Sequence, residues 1–141
     1  SLPLMKEIHI FIDLCATGTK QERNDKINRL IQGVYSIAMF MIESGIPQAY
    51  IWYDKVNGVI QEYSVEQEEE LYWMFQELFR SKTTTEESEL MEAYVDWGKG
   101  RLLESALYLT VADHESLDSG NLVRDRLEVM DLRGDVIEDQ E

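Results

Sequence analysis

Near the start of the chain, Asp13-Leu14-Cys15-Ala16-Thr17-Gly18-Thr19 sets a carboxylate, a thiol and hydroxyls at alternate positions just before a helix start. Oxygen donors spaced in this way can hold a hard divalent cation, once joined by a threonine from Thr83–Thr85 and by Asp113 from later loops. Mg²⁺ takes few protein oxygens, near-octahedral geometry and several retained waters, so such a sparse set can suffice. Cys15 breaks the pattern, because a thiol is a soft, weak donor for such an ion. The same residues also have plain structural roles. Asp13 can cap the turn or helix that follows, and Cys15 can fill a small buried space.

The elements that must position these groups can be read from periodicity. Ile8 to Leu14 is short, β-branched and aromatic, as a buried strand is, and ends around Asp13. Thr19 and Glu22 have capping-box spacing. Ile27, Leu30, Ile31, Val34, Tyr35, Ala38, Met41 and Ile42 then recur along one face of a long helix that Ser44-Gly45 and Pro47 stop. Two strand-like runs, Ala49 to Val56 and Val59 to Val65, flank Asn57-Gly58 and predict a hairpin with a two-residue turn. Ser64 and Gln67 again have capping-box spacing, ahead of a stripe at Leu71, Met74, Phe75, Leu78 and Phe79. The Thr83–Thr85 run leads into a short helix carrying Leu90, Met91, Tyr94 and Val95, and Gly98 to Gly100 follow. Ala106 to Ala112 is nearly all apolar, as in a strand covered on both faces, and ends at Asp113. Leu127, Val129 and Asp131 suggest a further strand. The order β-α-β-β-α-α-β-(β) predicts a mostly parallel sheet with one antiparallel edge strand and helices on both faces, a three-layer Rossmann-like arrangement. Ligands of such sheets bind beyond the carboxyl ends of the strands, where Asp13 and Asp113 are both expected.

With those residues and that order, the chain resembles the von Willebrand factor A-like fold, and within it the uncharacterised bacterial family called domain of unknown function 58. The family ends its first strand in Asp-x-Ser-x-Ser, and a Thr-bearing loop and a strand-end Asp follow. Carried over, the resemblance implies a metal site of Asp13, Cys15, Thr17, Thr84 and Asp113, degenerate because Cys15 replaces a serine, with Mg²⁺ weakly bound or absent. It implies a non-enzymatic protein–protein interaction module. It also implies transmembrane helices ahead of the domain, a position on the cytoplasmic side of a membrane, and assistance to a MoxR-type AAA+ ATPase. A second resemblance is to haloacid dehalogenase-like phosphatases, which carry Asp-x-Asp-x-Thr where this chain has Asp13-x-Cys15-x-Thr17. There Asp13 would be the nucleophile, and Asp113 and Asp118 would hold Mg²⁺. Cys15 stands in place of the acid that protonates the leaving group, and Tyr53-Asp54-Lys55 supplies no strand-end hydroxyl for phosphate. A third possibility is a purely structural domain of a membrane-tethered protein.

Composition bounds these readings. The 141 residues include 13 basic and 28 acidic side chains, a net charge of −15, with 44% hydrophobic residues. That is one domain's worth of core and argues against collagen-like, disordered and disulfide-scaffold classes. So acidic a surface repels phosphate and argues against nucleic-acid partners. The single thiol, Cys15, suits a reducing compartment. The whole chain, 1–141, reads as a single domain, with its body from Met5 to Leu132 and 133–141 as an acidic frayed tail. Its start at Ser1 without a signal peptide suggests a fragment of a longer protein. His9 and His114 read as strand and loop residues rather than ligands, and no Gly-x-Ser-x-Gly elbow or phosphate-cradling Gly-rich loop occurs. Glu66 and Glu68–Glu70 read as a solvated helix start. Tyr50, Trp52, Tyr72, Trp73 and Trp97 are expected in packing, with Tyr50 and Trp52 as a contact patch if their strand is an edge.

Overall fold

A computed structural model of the chain describes residues 6–98, 103–115, 117 and 123–134. Expectations placed on Met5, Gly100, Asp118 and the tail 135–141 lie outside the described residues. The elements are β1 (Ile8–Ile12), α1 (Lys20–Glu43), β2 (Gln48–Asp54), β3 (Val59–Val65), α2 (Glu68–Arg80), α3 (Leu90–Gly98), β4 (Leu103–Thr110) and β5 (Val123–Asp131). They form a mixed α/β structure around a five-stranded sheet of order β3-β2-β1-β4-β5. The pairs β1–β2, β1–β4 and β4–β5 are parallel, and β3 lies antiparallel to β2 at the edge.

Alternation along the strands sends side chains to two separate cores. On one face Ile10, Ile12, Tyr50, Trp52 and Leu109 meet the apolar stripes of α1 (Leu30, Val34, Ala38) and α2 (Leu71, Met74, Leu78). On the other, Phe11, Ile51 and Tyr108 meet Leu90, Met91 and Tyr94 of α3. There Phe11 and Tyr94 pack edge to face with ring centres 5.0 Å apart. Removing each such side chain from water stabilises the fold by about 1.5–3 kcal/mol. Because β2 is interior, Tyr50 and Trp52 are fully buried and form no edge patch. By contrast Tyr72, Trp73 and Trp97, expected in packing, are each about half exposed.

The long helix begins and ends as its sequence requires. The Thr19 hydroxyl accepts from the Glu22 amide, and Glu22 reaches back to the Thr19 amide. At the other end Gly45 has φ +68°, and the amides of Gly45 and Ile46 reach back to Ile42 and Met41, a Schellman closure. Gly33, in mid-helix, lets Leu132 lie against α1, since a Cβ there would sit 2.5 Å from Leu132 Cδ1.

Two local expectations need correction. The hairpin loop spans four residues rather than two, because β2 ends at Asp54. The Asp54 carboxylate accepts from the Val56 and Asn57 amides and from Asn57 Nδ2, and the Gly58 amide reaches Asp54 O at 2.8 Å. Burial tends to raise the Asp54 pKa, but these donors hold it below the usual carboxylate value. In addition, the α2 cap is Gln67 with Glu70, not Ser64 with Gln67. Ser64 and Val65 remain paired with Ala49 and Gln48, so the helix starts three residues later.

Candidate functional site at the carboxyl ends of β1 and β4

Ile12 lies beside Leu109 in the parallel register of β1 and β4, so the next residues, Asp13 and Thr110, meet at the strand ends. Thr110 Oγ1 donates to Asp13 Oδ2 at 2.9 Å. Ser88, from the loop before α3, donates to Asp13 Oδ1 at 2.6 Å, and its hydroxyl lies 3.2 Å from that of Tyr108. The Ala112 amide donates to Thr110 Oγ1 at 3.0 Å, so the hydroxyl hydrogen remains available for Asp13. Asp13 is only 2% exposed. Burial raises its pKa, and the hydroxyls of Ser88, Thr110 and Tyr108 oppose that rise without cancelling it. Asp13 is therefore an internal acceptor with a hydroxyl on each carboxylate oxygen.

The residues after Asp13 run alongside the threonine loop. The Thr84 amide donates to Leu14 O at 2.9 Å, and the Ala16 amide donates to Thr84 O at 3.0 Å. Cys15 and Thr84 thus form a short parallel bridge. Thr84 Oγ1 donates to Leu14 O at 3.2 Å, and the whole residue is buried. Cys15 is fully buried; desolvation, with some help from Asp13, Glu89 and Glu87, pushes its thiol pKa up against the opposing Thr84 hydroxyl.

Above this floor opens a cavity of about 480 Å³. Cys15, Thr17, Ser88, Tyr108, Asp113 and His114 line it, and Glu86, Glu87 and Glu92 stand at its walls. All three glutamates and Asp113 are exposed. Asp113 Oδ1 accepts from the Glu115 amide at 3.1 Å, which shapes the loop after β4. His114 Nε2 lies 3.3 Å from Asp131 Oδ2. Burial alone would raise the Asp131 carboxyl, but the Arg133 guanidinium, gripping it at 2.6 and 2.9 Å, holds it below its ordinary value.

The structure therefore brings Cys15, Thr17 and Asp113 around one cavity and places Asp13 beneath it. Thr84 is not part of the cavity lining; it pairs with Cys15 and its hydroxyl donates to the Leu14 carbonyl. These donors do not fit a hexacoordinate Mg²⁺ as arranged. Asp13 is buried and each of its oxygens already accepts a hydroxyl, one candidate donor is a buried thiol, and Thr84 is buried with its hydroxyl directed at a backbone carbonyl, so the set does not converge on one open point. Ser88 and Thr110, the two hydroxyls that meet Asp13, were not singled out from sequence. For Thr110 a signal exists, because it is the one threonine in the apolar run Ala106 to Ala112; the strand stops there rather than running on to Asp113. Ser88 lay within the polar run after Thr85 with nothing to set it apart. Comparison with family models, with curated proteins and with solved structures finds no match to this chain.

Proposed function

We propose that this chain is a non-enzymatic protein-interaction domain of the von Willebrand factor A-like type, most like the domain of unknown function 58 family. It holds its partner through the cavity at the carboxyl ends of β1 and β4. The strand order with an antiparallel β3 edge supports the fold assignment. The observation that carries the function is the contrast between Asp13, closed off by Ser88 and Thr110, and the open acids Glu86, Glu87, Glu92 and Asp113 above it. In a metal-bridged adhesion site the buried acid faces the ion and the rim waits for a partner carboxylate. Here an acidic rim favours direct contact with a cationic side chain, which gains Coulomb attraction as the cavity excludes water. Mg²⁺ is then unnecessary, and the degenerate set of Asp13, Cys15, Thr17, Thr84 and Asp113 acts as scaffold.

A phosphatase reading would need Asp13 to leave both hydroxyls and reach phosphorus, and nothing in the geometry favours that. The resemblance points to a MoxR-type AAA+ ATPase as the partner and to a cytoplasmic-side domain anchored by segments outside this chain. A binding assay between the purified domain and such an ATPase tests the reading. Capture should survive chelation of divalent cations by EDTA and fall at least about tenfold in Glu87→Lys/Asp113→Lys, as expected for central charged contacts. Loss of capture with EDTA, or indifference to the rim charges, would overturn it. So would hydrolysis of an aryl phosphate that disappears in Asp13→Asn.

A further inference from the structure

A second surface lies away from the rim, between α1 and α2. Ile31, Tyr35, Tyr72, Phe75 and Phe79 line an open trough of about 610 Å³. Tyr35 is 43% exposed, Tyr72 52% and Phe79 65%, although each sits on a helix whose opposite face is in the core. The rings form a ladder: Tyr35 and Phe75 have centres 6.4 Å apart, and Phe75 stacks on Phe79 at 5.6 Å. Large apolar side chains left in water along one stripe mark an interaction surface more often than chance exposure. Phe79 lies seven residues beyond Tyr72, a rise of about 10 Å, which matches about two turns of a docked helix.

Charge decides the occupant. The first turn of α2 carries Glu68, Glu69 and Glu70. Glu70 is engaged in capping, whereas Glu68 stands at the Tyr72 end of the trough, where it accepts the Tyr72 hydroxyl hydrogen at 2.8 Å. Arg80, toward the other end, pairs with Glu77 at 2.9 Å. A second copy of the chain would bring another net charge of −15 against this face, and an anionic lipid surface would be repelled likewise. We infer that the α1–α2 trough docks a cationic amphipathic helix of a partner protein. Its apolar stripe lies on the Tyr35–Phe75–Phe79 ladder and its Lys or Arg residues face Glu68 and Glu69.

Two synthetic helices of about five turns, with the same Leu/Ile stripe and either a Lys/Arg-rich or a Glu-rich polar face, test this by calorimetric titration into the intact chain. The cationic helix should bind and the acidic one should not. Phe79→Ser, at an exposed position that leaves the fold intact by circular dichroism, should weaken binding by at least about tenfold, the scale of a lost aromatic anchor. Glu68→Gln/Glu69→Gln should weaken it several-fold and flatten its salt dependence. Equal binding of the cationic helix to Phe79→Ser would reveal mere charge attraction and overturn the inference. So would equal binding of both helices, or a dimer of the wild-type chain that Phe79→Ser dissolves. The rim variant Glu87→Lys/Asp113→Lys should leave this binding in place, so the two surfaces stand or fall separately.

Discussion

Asp13 carries the chemistry that is most sensitive to its surroundings. Burial disfavours its ionised form, and the hydroxyls of Ser88, Thr110 and Tyr108 recover only part of the lost hydration. A folded-state pKa above the unfolded value means that Asp13 contributes stability in full below the ordinary carboxylate pKa of about 3.9. That contribution is lost as pH rises through the raised value. Asp13→Asn removes the titration while both hydroxyls keep a partner. Urea unfolding should therefore show the variant gaining on the wild type as pH rises above about 4, and an identical pH dependence would contradict the burial argument. Asp13→Ala removes the acceptor that the Ser88 and Thr110 hydroxyls share and should lower stability by about 1–3 kcal/mol at acidic pH, measured in the same way. Asp13 could be picked out from sequence because an acid at the end of an apolar run is conspicuous. Of its partners, Thr110 is marked only as the threonine of an apolar strand and Ser88 not at all, because the bonds join residues 75 and 97 positions apart and depend on which strands become neighbours.

At the scale of elements, local signals and tertiary pairing divide the work. The Thr19 capping box, the stripe of α1 except for the exposed Tyr35, and its stop at Gly45 are all local, and all are present in the structure. Thr19→Ala should cost about 1 kcal/mol in thermal or urea unfolding, with little change in cooperativity, since one orphan amide at the helix start loses its acceptor. A value near zero would mean that the tertiary contacts of α1 hold its first turn without the cap. Where two local signals compete, pairing decides. Ser64–Gln67 and Gln67–Glu70 have the same spacing, and the first loses because β3 continues to Val65 against Gln48. The Asn57-Gly58 turn widens for a related reason, since the Asp54 carboxylate reaches two amides of the loop. Aromatic residues misled in the other direction. Composition does not separate Trp52, which stacks on Tyr63 in the core, from Trp73, which faces water one helix away.

For the molecule as a whole, a net charge of −15 on one small domain is a repulsion that folding concentrates. Salt should relieve it. The urea midpoint should rise between about 0.02 M and 0.5 M sodium chloride, across which the Debye length falls from above 20 Å to below 5 Å. A falling midpoint would instead indicate that specific ion pairs such as Lys55–Glu89 and Arg133–Asp131 dominate. No helix among the described residues is long and apolar enough to cross a membrane. On the proposed reading, the same charge gives both surfaces a common preference for cationic partners, while their shapes differ: the polar cavity would take single side chains and the aromatic trough a helix face. Calorimetric titration of Mg²⁺ into the intact wild-type chain asks most directly whether the rim works without a metal. The arrangement of Asp13, Ser88 and Thr110 predicts only dilution heat. A saturable one-to-one isotherm that vanishes in Asp13→Asn would show that the carboxylate is a ligand, and would contradict the account.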